Sequence, residues 1–308
     1  MVAMKALLPD ISAVWVLDVL LPLTHTLFVG GLAWVAGSLV LAKWIIPNTS
    51  DSVFVQETLG RWKIVGLIFS LLFGLLWWPL TTVEMTGSSS LQHAVPMMGI
   101  VLWQTHFGSE LRHCLVLILL ALVCEPFHRF SRFSLVRNGV RTLQVVSLAI
   151  VLCLQPLLGH GTLAPIVLLI FLALHIMAAC VWLGCLPGLF LICYRHPIWA
   201  QVSLMRFSRL GVGCVLIIAA TGVVQSVSMV GSWSGLFLTR YGQYVALKCL
   251  LFALMLLLAA LNRFHWTPKV DHQPAGIFIT LGIEAGVGGL LLVIAALLSS
   301  QAPPGLMS

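Results

Sequence analysis

Long apolar stretches dominate this chain and constrain its fold more than any other feature of the sequence. An apolar segment of about 20 residues crosses a bilayer as a helix, because the helix satisfies every backbone N–H and C=O internally. Hydrophobic residues make up 60% of the chain and charged residues 8%, which leaves too little polar surface for a water-soluble domain. We therefore predict an all-α, polytopic membrane bundle of eight transmembrane helices near 13–42, 62–83, 109–127, 140–158, 164–193, 206–230, 241–262 and 276–299.

The basic residues predict which way this bundle faces. Twelve of the 16 Lys and Arg residues fall at one set of helix ends: Lys43, Arg61, Lys63, Arg129, Arg132, Arg137, Arg141, Arg195, Arg206, Arg209, Arg263 and Lys269. The other side has only Lys5, Arg112, Arg240 and Lys248. The positive-inside rule then predicts that both termini are periplasmic. The net charge of +7 thus reflects topology and contact with lipid, and no basic patch interleaved with aromatic residues indicates nucleic-acid binding.

The whole chain, 1–308, is predicted to form a single integral membrane domain. Its first apolar stretch is too long for a removed signal peptide and lacks a small-residue cleavage site. The eight cysteines include no C-x-x-C pair and are interpreted as small buried side chains rather than disulfides. No nucleotide-binding motif is present, so we expect a transporter or metal-binding protein that ATP does not power directly, rather than an enzyme.

Three histidines carry the functional hypothesis. An imidazole within hydrocarbon is costly, so its presence there indicates function. His25 lies within the first predicted span, His160 in the turn at 159–162, and His175 within the fifth span. Imidazole and thioether groups with few carboxylates favour Cu(I) or Cu(II) over harder cations. The structural alternatives are a helix cap for His160 and hydrogen bonds to neighbouring helices for the other two.

Further candidate ligands lie on the same predicted outer side. They are the imidazole and thioether side chains of His93, His106, Met85, Met97, Met98 and Met229. The alternatives are solvated loop residues for the histidines and packing at the membrane interface for the methionines. These residues are scattered along the chain, so only the fold could assemble them into one site.

Three polar groups within the predicted spans also need partners. Lys248 in span seven and Glu284 in span eight are predicted to pair, with proton or ion coupling as the alternative. Gln225 in span six is expected to hydrogen-bond to a neighbouring helix. Two G-x-x-x-G spacings, at 184–188 and 282–286, permit close contact between helices.

Several short strings in the second half of the chain form a recognisable set. They are Gly-His-Gly-Thr at 159–162, His175 followed by Ala-Ala-Cys-Val-Trp-Leu-Gly-Cys-Leu-Pro at 178–187, Met-Arg-Phe-Ser-Arg at 205–209, Ala-Thr-Gly-Val-Val-Gln at 220–225, Tyr-Gly-Gln-Tyr-Val-Ala-Leu-Lys at 241–248, Asn-Arg-Phe at 262–264 and Pro268. Weaker features precede them at His25 and at Thr-His-Phe-Gly, 105–108. Together they resemble the bacterial copper resistance protein D family, most closely over about 157–299.

The resemblance implies an inner-membrane protein of copper homeostasis with eight helices. Such proteins are described as copper resistance or copper uptake components that often work with a small periplasmic copper-binding protein of the copper resistance C type, which here would be a separate protein. The resemblance makes His25, His160 and His175 the leading metal-handling residues and makes Lys248 and Glu284 family-like polar positions. We accordingly predict an outward-facing cavity in which these histidines receive copper, helped by the outer His and Met residues.

Two alternatives stay open at this point. A membrane redox protein would hold a heme or a redox-active copper, and His25 with His175 could supply the two axial ligands of a b-type heme. A scaffold or sensor would bind copper without moving it across the membrane.

Overall fold

The computed structural model describes residues 2–47, 53–88, 90–159, 164–301 and 303–306. Within these residues the chain is helical almost throughout and contains no strand. The helices are α1 (Val2–Val40), α2 (Val53–Thr86), α3 (Leu91–Gln104), α4 (His106–Val123), α5 (Glu125–Phe130), α6 (Ser134–Leu154), α7 (Ile166–Arg195), α8 (Pro197–Val230), α9 (Trp233–Leu238), α10 (Arg240–Leu261) and α11 (Pro274–Ser299). Short π-helical turns extend α1 over Leu41–Ile45 and α10 over Asn262–Trp266.

Within the described residues, eight helical segments are long and apolar enough to cross a membrane, which confirms the predicted number. They are Leu17–Ile45, Phe54–Thr86, His106–Phe127, Ser134–Leu158, Ile166–Arg195, Pro197–Val230, Arg240–Lys269 and Pro274–Ser299. Several helices begin earlier than the apolar pattern predicts, and α2 and α8 each gain more than two turns at their start. The added turns contain polar residues among apolar ones. Backbone hydrogen bonds form there as well, so the helix extends beyond the predicted apolar stretch.

The connection between the second and third predicted spans, residues 84–105, is largely helical. Its helix α3 lies against α2, where the Trp78 indole N–H donates to the Met98 carbonyl at 3.1 Å. The Thr105 hydroxyl then accepts from the Gly108 amide at 3.1 Å and caps the start of α4. His93, Met97 and Met98 therefore lie on one helix.

Successive spans run in opposite directions, so the helix ends collect at two faces. The terminal face comprises the start of α1, the end of α11 and the connections around 86–106, 155–166 and 230–240. The basic face comprises the connections around 45–54, 127–134, 195–197 and 262–274. Contacts distant in sequence confirm both groupings: His25 meets Ser299 at the terminal face, and Arg206 donates to the Ile45 carbonyl at the basic face.

Two apolar cores lie side by side between these faces. Spans α1, α2, α4 and α6 surround one core, in which Phe28, Leu32 and Leu111 are fully buried. Spans α7, α8, α10 and α11 surround most of the other, in which Leu189 and Met255 are fully buried, and Leu41 and Leu59 from the end of α1 and the start of α2 complete it. The fold thus divides into an N-terminal and a C-terminal group of four spans.

The two groups meet where α1 crosses α7. A Cβ atom added to Gly37 would collide with the backbone of Gly184, and one added to Gly184 would collide with the Ala33 carbonyl. The Cys185 thiol lies 3.8 Å from the Gly37 carbonyl at the same crossing. Only residues without a side chain allow the two backbones to approach this closely.

The two G-x-x-x-G spacings have different outcomes. Gly188 continues the α1–α7 contact, because an added Cβ would collide with the Leu41 side chain. Gly282 and Gly286 on α11 have open space where a Cβ would lie. The spacing at 184–188 therefore packs helices within the chain, whereas the one at 282–286 makes no such contact among the described residues.

A buried ion pair near the basic face joins α2 to α5 and α6. Lys63 Nζ lies 2.7 Å from Glu125 Oε2 and donates to Gln144 Oε1 at 2.9 Å. Gln144 Nε2 in turn donates to the same Glu125 oxygen at 2.7 Å. Lys63 is only 5% exposed, so this residue, counted above among the basic helix ends, is part of the helix packing. Removing one member would leave a buried charge unpaired.

Replacing Gly184 by Val is expected to lower thermal stability, because the new side chain has no room beside Ala33. Overpacking of a tight contact costs roughly 1–3 kcal/mol. Gly213 on α8 has open space at the Cβ position, so Gly213→Val is the matched control. Thermal unfolding of the detergent-purified protein should show a lower midpoint for Gly184→Val alone. Equal midpoints for the two variants would contradict the close α1–α7 contact.

Candidate metal-binding site

His25 lies on α1 below the terminal face and contacts two other helices. Its ring stacks on the Trp77 indole of α2, with centroids 4.4 Å apart and planes inclined by 13°. Its Nδ1 atom lies 3.0 Å from the Ser299 hydroxyl oxygen at the end of α11. The ring is partly buried, so its position is fixed while part of its surface remains accessible.

The orientation of the Ser299 hydroxyl is linked to the tautomer of His25. The hydroxyl oxygen lies 2.8 Å from the Ala296 carbonyl of its own helix, which is an acceptor for its single hydrogen. With the hydrogen directed there, the Ser299 oxygen accepts from Nδ1–H of His25. The other ring nitrogen, Nε2, then carries the lone pair, which is the form of imidazole that binds a metal ion.

His175 repeats this arrangement in the C-terminal group of spans. The side chain is 9% exposed, and its Nδ1 atom lies 2.9 Å from the Thr221 hydroxyl oxygen on α8. With the Thr221 hydroxyl donating to the Ile217 carbonyl at 2.6 Å, its oxygen accepts from Nδ1–H of His175. In this tautomer Nε2 of His175 carries the lone pair as well.

A column of polar groups leads from the terminal face towards His175. Gln225, one turn above Thr221 on α8, places its amide nitrogen 3.5 Å from the Phe171 carbonyl of α7. This contact fulfils the expectation that Gln225 bridges two helices. Lys248 on α10 lies close enough to the His175 ring to interact with it electrostatically. The column thus combines groups from three spans around one histidine.

Met229 stands at the outer end of this column. The Tyr241 hydroxyl of α10 donates to its sulfur atom at 3.0 Å. Both residues belong to a small apolar cluster with Val230 and Val245 near the terminal face. The Met229 thioether therefore lies above His175 along α8, although a phenol hydrogen bond already occupies one of its lone pairs.

His25 and His175 contact different helices. His25 faces α2 and α11, whereas His175 faces α8 on the side of α7 opposite to Gly184. A b-type heme would require the two rings to face one another, so this arrangement does not favour the heme alternative. Across the described residues, no three His, Cys, Asp or Glu side chains come within reach of one metal ion.

His160 falls outside the described residues. The residue before it, Gly159, lies against α11, where an added Cβ would be 3.4 Å from the Ser299 carbonyl oxygen and 3.7 Å from its Cβ. Ser299 is the residue that holds His25. Gly159 and His25 therefore both lie against Ser299 at the end of α11.

The remaining outer candidates lie around α3. Met85 and Met97 are exposed, and Met98 is partly buried against α2. His93 is exposed, with its Nδ1 atom 2.9 Å from the Ser90 hydroxyl. His106 is the exposed first residue of α4. These side chains occupy the surface of the terminal face, separate from the buried rings.

The predicted Lys248–Glu284 ion pair is wrong. Glu284 Oε2 accepts from the Asn262 amide at 2.8 Å near the basic face. From Lys248 to Asn262 the chain advances by about 21 Å along the helix, which is beyond the reach of the two side chains. Lys248 and Glu284 therefore lie at depths in the membrane that are too different for an ion pair.

The comparisons with known proteins agree with the sequence resemblance. Residues 16–165 match the family domain described as Copper resistance protein D-like, N-terminal domain, and residues 201–298 match the family described as Copper resistance protein D. The chain belongs to the copper resistance protein D family. The match includes the N-terminal group of spans with His25, which the sequence strings indicated only weakly. Together with the eight spans, this match identifies the chain as a multi-pass membrane member of that family.

Two curated relatives of this copper resistance protein D chain are similar to parts of it. The copper transport protein CutJ of Bacillus subtilis (strain 168) is 29% identical over 194 residues, which are 61% of this chain and 35% of CutJ. The inner membrane protein YebZ of Escherichia coli (strain K12) is 30% identical over 139 residues, which are 42% of this chain and 48% of YebZ. The chain thus spans less than half the length of each relative. No solved structure matches the chain.

The sequence analysis missed the two hydroxyl groups that orient the histidines. Thr221 lies within one of the family-like strings, but nothing in that string indicates a bond to a residue of another helix. Ser299 is 274 positions from His25 in sequence. Serine and threonine commonly hydrogen-bond within their own helices, so only the packed structure identifies these two as partners of histidine.

Removal of either orienting hydroxyl is expected to weaken copper binding. Thr221→Val and Ser299→Ala leave the rings in place but free to rotate, and loss of such a partner typically costs about 10–100-fold in metal affinity. Thr82→Val is the matched control, because the buried Thr82 hydroxyl also donates within its own helix, to Trp78. Competition with a copper chelator measures the affinities. Wild-type affinity in both test variants would exclude this orienting role.

Proposed function

We propose that this copper resistance protein D family member is a multi-pass inner-membrane protein that receives copper at its terminal face and moves it across the membrane. The family assignment and the similarity to a copper transport protein and an inner membrane protein support this proposal. The observation that carries it is the shared state of two intramembrane histidines. Both rings have Nδ1 held by a hydroxyl group of another helix, which leaves Nε2 for a metal ion.

Copper would meet these two nitrogens in sequence. His25 is the more accessible ring, so it would bind the arriving ion, with His160 as a second proposed ligand. His175, which is more deeply buried, would bind it next. Imidazole nitrogen suits both oxidation states of copper, so the path needs no harder ligand.

The exposed outer residues would serve at an earlier stage. Met85, Met97 and Met98, with His93 and His106, present thioether and imidazole groups at the terminal face. Such weak and separated ligands suit capture of copper from a small periplasmic copper-binding protein, which would need only brief contact. Met229 would add a thioether between this surface and His175.

The distribution of basic residues supports the orientation in this proposal. The connections of the basic face carry most of the chain's Lys and Arg, and such loops stay in the cytoplasm. The terminal face, with both chain ends, would then be periplasmic. Copper would move from the periplasmic histidines towards the basic face.

Substitution of the histidines tests the proposal. His25→Ala and His175→Ala each remove one Nε2 ligand, so each variant should retain much less copper than the wild type after purification. His113→Ala is the control, because His113 is an exposed histidine of α4 whose Nδ1 lies 3.6 Å from Glu110. Mass-spectrometric metal analysis measures bound copper, and copper uptake into liposomes measures its movement.

The two measurements separate the possible failures. Equal copper content in the wild type and all three variants would remove the histidine site. Copper binding that depends on the histidines without uptake into liposomes would instead indicate a scaffold or sensor.

A further inference from the structure

A cavity of about 250 Å3 lies in the C-terminal group of spans, at the opposite end of the bundle from the histidines. Residues of α7, α8, α10, α11 and the turns that follow α10 line it, and the side chains of Leu216 and Phe264 among them are exposed. Most of its wall is apolar. Its polar groups, Glu284, Asn262, Thr267, Ser208 and Arg263, all belong to the half of the membrane that adjoins the basic face.

Glu284 is the most deeply buried of these polar groups. It is 1% exposed, and its Oε2 atom accepts from the Asn262 amide at 2.8 Å. Asn262 is fixed in turn, because its Oδ1 atom accepts from the Thr280 hydroxyl. The second carboxyl oxygen, Oε1, is buried with no hydrogen-bond partner among the described residues. One oxygen is thus held by the protein while the other remains available for a ligand.

The surrounding helices supply no counter-charge to this carboxyl group. Arg263 is the one charged residue besides Glu284 among the described residues that line the cavity, and its guanidinium lies over the Phe264 ring, 5.5 Å from the centroid. The other charged or titratable residues of the adjoining elements whose side chains are described lie outside the lining: Asp18, His25, Lys43, His175, Cys180, Cys185, Cys193, Tyr194, Arg195, Arg206, Arg209, Cys214, Arg240, Tyr241, Tyr244, Lys248, Cys249, His265 and Lys269. No ion pair to Glu284 forms in the part of the chain that the structure describes.

We propose that Glu284 is a reversible proton-binding site in a hydrated cavity that is reached from the basic face. An ionised carboxylate without a counter-charge is costly inside a membrane, and uptake of a proton removes that charge. The ionised form keeps the Asn262 hydrogen bond, whereas the protonated form places an O–H donor in the cavity. A volume of about 250 Å3 exceeds the roughly 10–15 Å3 needed for one water molecule, so water has room to carry the proton.

This inference extends the proposed function and rests on it only for the use of the proton. Copper and the proton would occupy opposite halves of the bundle, the copper at the histidines and the proton at Glu284. The protonation state of Glu284 would then influence copper movement through the C-terminal group of spans.

Infrared spectroscopy of the copper-free protein tests proton binding directly. A pH titration of the wild type should show the C=O stretch of a buried carboxylic acid that disappears as the proton dissociates. Glu284→Gln should remove this signal from the difference spectrum, and it keeps an amide oxygen for the Asn262 contact. If the wild type and Glu284→Gln show the same titrating bands, the proposal is overturned.

Filling the cavity tests the role of water. Gly211 lines the cavity, and the nearest atom to an added Cβ, Trp182 Nε1, is 4.0 Å away, so Gly211→Leu should fill the space without a collision at the backbone. Gly213→Leu is the matched control on the same helix, with open space and no place in the lining. Exchange of the Glu284 proton for deuterium should be slower in Gly211→Leu alone. Equal exchange rates in both variants would exclude access through the cavity.

Copper uptake into liposomes tests the coupling separately. An imposed pH gradient should stimulate uptake by the wild type, and Glu284→Gln should lose the stimulation while its copper content stays normal. Undiminished stimulation in Glu284→Gln would overturn the coupling. Copper content that stays at the wild-type level in the His25 and His175 variants would contradict only the proposed function. The two proposals therefore fail independently.

Discussion

The backbone contact between α1 and α7 determines how the two groups of spans are joined. Gly37 and Gly184 allow the helices to touch without intervening side chains, and a larger residue at either position has no room. The contact also sets the relative depth of the functional residues. His25 lies about 18 Å above this crossing and His175 about 14 Å above it, at 1.5 Å per helical residue. Two distant segments therefore bring imidazoles to similar depths below the terminal face.

The side chains of His25, His175, Lys63 and Glu284 each have a hydrogen-bond partner in another helical segment. Hydroxyl groups fix His25 and His175, and Asn262 holds one oxygen of Glu284. Glu125 neutralises Lys63, and Gln144 accepts a hydrogen bond from it. The hydroxyl bonds leave an unprotonated nitrogen, and the Asn262 bond leaves a carboxyl oxygen. Polar groups on the terminal side thus suit a metal cation, whereas the group on the basic side suits a proton.

The sequence predicted the parts of this structure that the bilayer imposes. Apolar length determines the number of spans, and the cost of an imidazole in hydrocarbon singled out His25 and His175. Contacts between distant helices could not be predicted from the sequence, because hydrophobicity does not specify how each helix is rotated about its axis. Lys248 and Glu284 therefore seemed a natural pair, although Glu284 bonds to Asn262 and Lys248 lies near His175. Lys63 was likewise assigned to a helix end, since its partner Glu125 belongs to a short helix that the apolar pattern does not reveal.

The protonation state of the two histidines is the most direct test of the account. Nitrogen-15 NMR of histidine-labelled protein, with resonances assigned from His25→Asn and His175→Asn, reports which ring nitrogen carries the hydrogen. The structure predicts Nδ1–H for both rings in the copper-free protein and a shift of both Nε2 resonances when Cu(I) is added. Hydrogen on Nε2, or Nε2 resonances that copper leaves unchanged, would contradict the assignment of these rings as the copper ligands.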